Sequence, residues 1–137
     1  MATRTNYFNQ AALDHVYLNA AITNIGDAAG LPAAATAGNL YMALLVSGTE
    51  TAYTSYARQP IARVTEFSRT GNVITNVLQV NFPTSTGAGE TTCNQVAIYD
   101  RVTGGEQLHL QTLEYTITTT INHKPIIEAE TLTITSS

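Results

Sequence analysis

The stretch FPTSTGAGETTCNQVAIYD, from Phe82 to Asp100, joins a glycine-rich loop to Cys93, the only cysteine in the chain. A glycine-rich loop can cradle phosphate, and a cysteine beside a base can act as a nucleophile. The neighbouring residues argue against both. A phosphate loop ends in Gly-Lys-Ser/Thr at the start of a helix. Here no lysine follows the glycines, and Glu90 would repel a phosphate. A dinucleotide fingerprint also opens a helix, whereas NQVAIYD reads as a strand. Cys93 has no neighbouring histidine in sequence to draw off its proton, and a lone cysteine is usually a small packing residue.

The other candidates are similarly thin. His15, His109 and His123 lie on an expected helix, strand and turn, with none of the short spacings of a zinc site. Glu128 and Glu130 are two apart, so on a strand they would share a face. Paired carboxylates can do acid–base work, but here they are expected on the wet face of a terminal strand, where charge discourages edge pairing. Tyr53 and Tyr56 sit in the polar loop GTETAYTSYARQP. They could stack on a sugar, as in a carbohydrate-binding module, or anchor a protein interface. Tyrosine buries much area at low entropic cost, and the interface is the favoured expectation. No cofactor and no catalytic residue is expected.

The elements that would position these residues follow from periodicity. Asn6 to about Ile22 reads as a helix with Asn6 as N-cap, a stripe of Phe8, Ala12 and Val16, and Gly26 as the stop. Gly26–Asn39, rich in glycine and alanine, reads as an arm that lies on something else; Leu31 and Pro32 are its candidate contact residues. From Leu40 the period becomes two. LYMALLVS turns Leu40, Met42, Leu44 and Val46 to one face. IARVTEFSR and VITNVLQVNF follow, the second with Ile74, Leu78, Val80 and Phe82 inward. After NQVAIYD come QLHLQTLE, with Leu108 and Leu110 inward, then YTITTTIN, and IIEAETLTITS closes the chain. About seven strands at regular spacing, with turn signals between them, predict a mainly β, antiparallel sandwich or barrel with one N-terminal helix. One domain is expected over residues 1–137: helix and arm to residue 39, sandwich from 40.

Composition narrows the partners. Charged residues are 12% of the chain, about half the usual share. Threonine, which suits a half-wet pleated surface, is the commonest residue. So little charge suits surfaces that meet protein rather than water. The net charge is −4 and the six basic residues are scattered, so no nucleic-acid face is expected. No apolar run approaches the length of about 18–20 residues that a membrane helix needs, and no secretory h-region is present near the N-terminus. A single cysteine cannot form an internal disulfide. These features fit assembly in a reducing cytoplasm.

The order of the pieces has a parallel. A short helix containing LDH leads to LYMALLVSG, then YARQPI, then VNFPTSTGAGETTCNQVAIYDRVTGGE, and TLTIT closes the chain. This order, from about Leu13 to Thr135, resembles small virion proteins of tailed bacteriophages, both tail or tail-fibre proteins and capsid cement (decoration) proteins. The cement resemblance implies a jelly-roll-like sandwich without enzymatic activity, a dimer or trimer that binds the major capsid protein on the capsid exterior. The tail or tail-fibre role is the alternative. Leu31, Pro32, Tyr53 and Tyr56 are the expected contact residues.

Overall fold

The helix is set by two local devices. The computed structural model describes residues 3–27 and 30–136, and in it helix α1 spans Asn6–Tyr17. Its N-cap is Thr5, whose hydroxyl accepts from the Phe8 N–H at 3.2 Å, rather than Asn6. Asn19, in the left-handed region at φ 53°, follows the C-cap Leu18 and stops the helix well before Gly26. Arg63 then caps the exposed carbonyls, bonding His15 O at 2.6 Å and Val16 O at 2.7 Å. A third bond, to Ala37 O at 2.9 Å, ties the same guanidinium to the end of the arm.

The buried stripe of α1 is Asn9, Leu13 and Tyr17. It lies one residue out of phase with the expected stripe, and Phe8 and Val16 are exposed. Tyr17 meets Phe67 edge to face, with centroids 5.2 Å apart, and Arg69 pairs with Asp14. These two contacts orient the helix.

Ten strands follow among the described residues. They are β1 (Asn39–Val46), β2 (Thr49–Glu50), β3 (Gln59–Ala62), β4 (Phe67–Thr70), β5 (Val73–Asn76), β6 (Val80–Asn81), β7 (Thr91–Tyr99), β8 (Gln107–Thr119), β9 (Ile126–Ile127) and β10 (Thr133–Thr135). All pair antiparallel. The main sheet runs β2-β1-β7-β8, with β3 also on β1; β10-β5-β4 and β6-β9 form two smaller sheets. The fold is thus a mainly β antiparallel sandwich with one N-terminal helix. The ten strands divide into sheets of five, three and two.

The differences from seven strands have local causes. IARVTEFSR is broken by a tight turn in which Val64 takes φ 79°. VITNVLQVNF bends after Asn76, which leaves Leu78 54% exposed. QLHLQTLE and YTITTTIN are one 13-residue strand. IIEAETLTITS divides between two sheets, because Glu128–Glu130 form a turn and Glu130 takes φ 64°.

Central strand β1 is buried on both faces. Met42 and Leu44 join the main core with Phe67, Ile74, Phe82, Val96, Ile98 and Leu132. Ala43 and Leu45 join Ala97 in a second cluster on the opposite face, with Tyr99 against it. At the centre of the smaller sheets lies Asn76, fully buried. Its side-chain amide donates to Leu78 O (2.9 Å) and Glu128 O (3.0 Å), and its carbonyl oxygen accepts from Leu132 N (2.9 Å). One side chain therefore holds the turn before β10 in place.

Candidate functional site

Three regions hold the residues singled out by the sequence. The first is the corner around the Phe82–Cys93 loop. Phe82 is core, 1% exposed. Ser85 pairs through its backbone with the turn at Asn122 and His123 (2.8 and 2.9 Å), and Thr86 N–H reaches Thr54 O at 3.3 Å. At Gly87 a Cβ would stand 2.2 Å from Thr54 Oγ1, so only glycine permits this approach of the two loops. Gly87 thus serves close contact between loops, while Gly89 takes φ 113° in open space. Cys93 lies within β7, fully buried. Burial raises its pKa, and the neighbouring Thr51 hydroxyl opposes the shift. This is the environment of an inert packing thiol.

Tyr53 and Tyr56, expected at a partner interface, are turned into the domain. Tyr53 is 9% exposed and donates its hydroxyl to Pro83 O at 2.6 Å; burial pushes its pKa up to about 12. Tyr56 stacks on Phe82, with rings 8° from parallel, and meets Tyr53 edge to face. Its hydroxyl donates to Glu50 Oε1 (2.8 Å) and accepts from Leu44 N–H (3.2 Å). Neither ring offers an open face of the kind a sugar platform needs.

Glu50 links this corner to a buried arginine that sequence reading did not single out. Arg58 forms a bidentate pair with Glu50 (both bonds 2.8 Å), donates to Arg101 O (2.8 Å) and Gly104 O (2.7 Å), and lies 3.7 Å above the Tyr99 ring centroid. The Arg58 hydrogen bonds hold the Glu50 carboxyl below its ordinary pKa, against a smaller opposing effect of burial. The only signal in the sequence is the order Glu50, Tyr56, Arg58 within one loop.

The second region is the groove between α1 and the arm. The arm doubles back through a bridge between Ile22 and Leu31 (N–H to O distances 2.8 and 2.9 Å), and the Asn19 amide pairs both ways with Ala34 (2.8 and 3.0 Å). At Gly30, φ 63°, a Cβ would fall 2.2 Å from Ile22 O. Ala28 and Ala29 of the expected arm lie outside the described residues. The outward residues of the helix, Tyr7, Phe8, Ala11 and Ala12, face Ile22, Ile25 and Leu31 across an open cavity of about 560 Å³. Phe8, Ile25 and Leu31 are each nearly half exposed, and Pro32 beside them is exposed.

The third region is the long edge strand β8. Leu108 and Leu110, expected inward, are 43% and 42% exposed, while His109 and Gln111 point toward the core side. Gln111 donates to Thr131 O (2.9 Å) and accepts from Thr133 N–H (2.8 Å), imitating a strand partner for β10. Burial lowers the His109 pKa. His15 instead bonds Ala20 O at 2.8 Å, and His123 sits in the turn against Ser85. Among the described residues no three His, Cys, Asp or Glu side chains are placed to hold a metal ion. Glu128 and Glu130 are exposed on a turn rather than paired on a strand face.

Loops pinned to one another around a β-sandwich stand beside an exposed apolar groove, and family comparison gives the class: a bacteriophage virion structural protein. The chain belongs to the family described as podophage GP4 fiber I protein gp80, whose model matches residues 3–135. No curated protein shows significant similarity to the chain.

Proposed function

We propose that this protein is a structural subunit of an external phage appendage of the fibre type, acting through protein–protein contact and without catalysis. The observation that carries this reading is the match to a fibre-protein family over residues 3–135. The helix–arm groove supplies its contact surface. Phe8, Ile25, Leu31 and Pro32 present apolar area that the monomer leaves open, and aromatic and aliphatic side chains of this kind anchor interfaces when a partner covers them. Sparse charge and abundant threonine, read from the sequence, agree with surfaces that meet other β-structure.

The test is location in intact particles. Cryo-EM of virions with epitope-tagged protein is expected to show label on fibres or at their attachment. Label spread over the capsid shell would overturn this reading in favour of the cement role, with the major capsid protein as partner. The contact surface is tested separately by Phe8→Asp with Leu31→Asp. The purified variant is expected to keep its circular dichroism spectrum and to be lost from particles. Normal incorporation would remove the groove from the interface.

A further inference from the structure

A second surface carries an inference of its own, which rests on the virion reading above. β8 closes one side of the main sheet and is hydrogen-bonded along one edge only, to β7. At 13 residues it is the longest strand among the described residues. Exposed edges are blunted by short length, charged side chains, proline or bulges. Gln107–Thr119 contains no lysine, arginine or proline, but it bulges in the middle: Leu113–Thr116 have no register partner on β7 between the Thr112–Gln95 and Ile117–Cys93 pairs.

Along its middle runs a groove of about 690 Å³, bounded on the far side by β9 and the turn that leads to β10. Leu113 and Ile127 lie buried at its base. Its rim carries Glu114, Glu128 and Glu130, all exposed, and neither lysine nor arginine lines it. Tyr115, 79% exposed, stands at its side.

We propose that the free edge of β8 receives an extended, basic segment of another virion protein as an added β-strand. The main chain of that segment would take up the unpaired backbone groups of β8. Alternate side chains would reach the apolar base, and its lysines or arginines would meet the three glutamates. Charge selects this occupant over a second copy of the chain. Two copies paired through β8 would bring Glu114 and its rim partners against the same acidic set, and like charges opposed across strands destabilise the pairing.

The test replaces Tyr115 with a photo-crosslinking residue (Tyr115→benzoylphenylalanine) in the full-length chain, in assembled virions. Mass spectrometry maps the product. The expected product joins Tyr115 to a different virion protein, within a segment whose Lys and Arg outnumber its Asp and Glu. In a Glu114→Gln, Glu128→Gln, Glu130→Gln background the yield is expected to fall by about fivefold or more, since screened charge pairs steer this contact. Crosslinking to another copy of the chain or to an acidic segment would overturn the proposal. So would the absence of any product in particles that contain the protein, with the same residue at Thr112 as second position. A wild-type chain missing from purified particles would instead overturn the virion reading, and this inference with it.

Discussion

The corner built on Arg58 and the edge built on β8 both hold aromatic and charged residues beside loops, yet they are opposite in kind. In the corner the charged and phenolic groups have internal partners: Arg58 has Glu50, Arg101 O and Gly104 O, Tyr56 has Glu50 and Leu44, and Tyr53 has Pro83. At the edge, Tyr115 is 79% exposed and three glutamates ring a groove with no basic residue in its lining. A tyrosine and a glutamate therefore report a structural corner in one place and an open surface in the other. The residue type is the same; what differs is whether the fold has supplied a partner. Buried polar groups without partners are costly, so a saturated network marks structure, and a half-open one marks where something else is expected to bind.

The contrast can be broken first at its strongest point. Arg58→Ala leaves Glu50 with the Tyr56 hydroxyl alone and two carbonyls without their donor, and a cost of about 3–5 kcal/mol is expected from denaturant unfolding. A loss under about 1 kcal/mol would mean that the corner is not a stabilising network. Asn76→Ala removes three hydrogen bonds from a fully buried site, and a loss of about 2–3 kcal/mol is expected, with faster amide exchange at Leu132 and Glu130.

pH gives a subtler probe. The Glu50 pKa is lower in the folded state than its ordinary value of 4.5. Its contribution is therefore complete above about pH 4.5 and is lost as pH falls through the folded value. The His109 pKa is likewise lowered, by burial, from 6.5, so its contribution is lost as pH drops below about 6.5. The unfolding midpoint is expected to fall in these two windows. Glu50→Gln should flatten the lower one and His109→Gln the upper one; unchanged profiles would argue against both assignments. The smallest effect belongs to the open edge. Tyr115→Ser is expected to change monomer stability by under about 0.5 kcal/mol, and a larger loss would mean that Tyr115 belongs to the folded core.

How much of this was legible depended on whether a pattern had one solution. The class of fold did: alternation from Leu40 onward with regular turn signals admits only an antiparallel β architecture. The phase of each pattern did not. On the helix, Phe8-Ala12-Val16 and Asn9-Leu13-Tyr17 are equally periodic, and the second stripe is buried because Phe67 and Arg69 meet Tyr17 and Asp14. On β8 the leucines are the natural inward set, yet Gln111 and His109 face inward because the backbone edge of β10 needs a hydrogen-bonding partner there. The expected contact residues divide in the same way. Leu31 and Pro32 remain on the surface, while Tyr53 and Tyr56 are drawn inside by Pro83, Phe82 and Glu50.

From the chain alone come the β-rich class, the single N-terminal helix, the weakness of every catalytic motif and the resemblance to phage virion proteins. All of these are properties of residue type and local order. Which stripe of α1 is buried, where strands break, and which side of β8 faces water were decided only in three dimensions. The physical reason is that burial and hydrogen-bond satisfaction are settled between segments far apart in sequence. Glu50 lies eight residues from Arg58, but Gly104, which completes the same network, lies 46 residues away. Cys93 shows the same division. Its neighbours in sequence made it a poor nucleophile, and β1 and β8 on either side of β7 make it core.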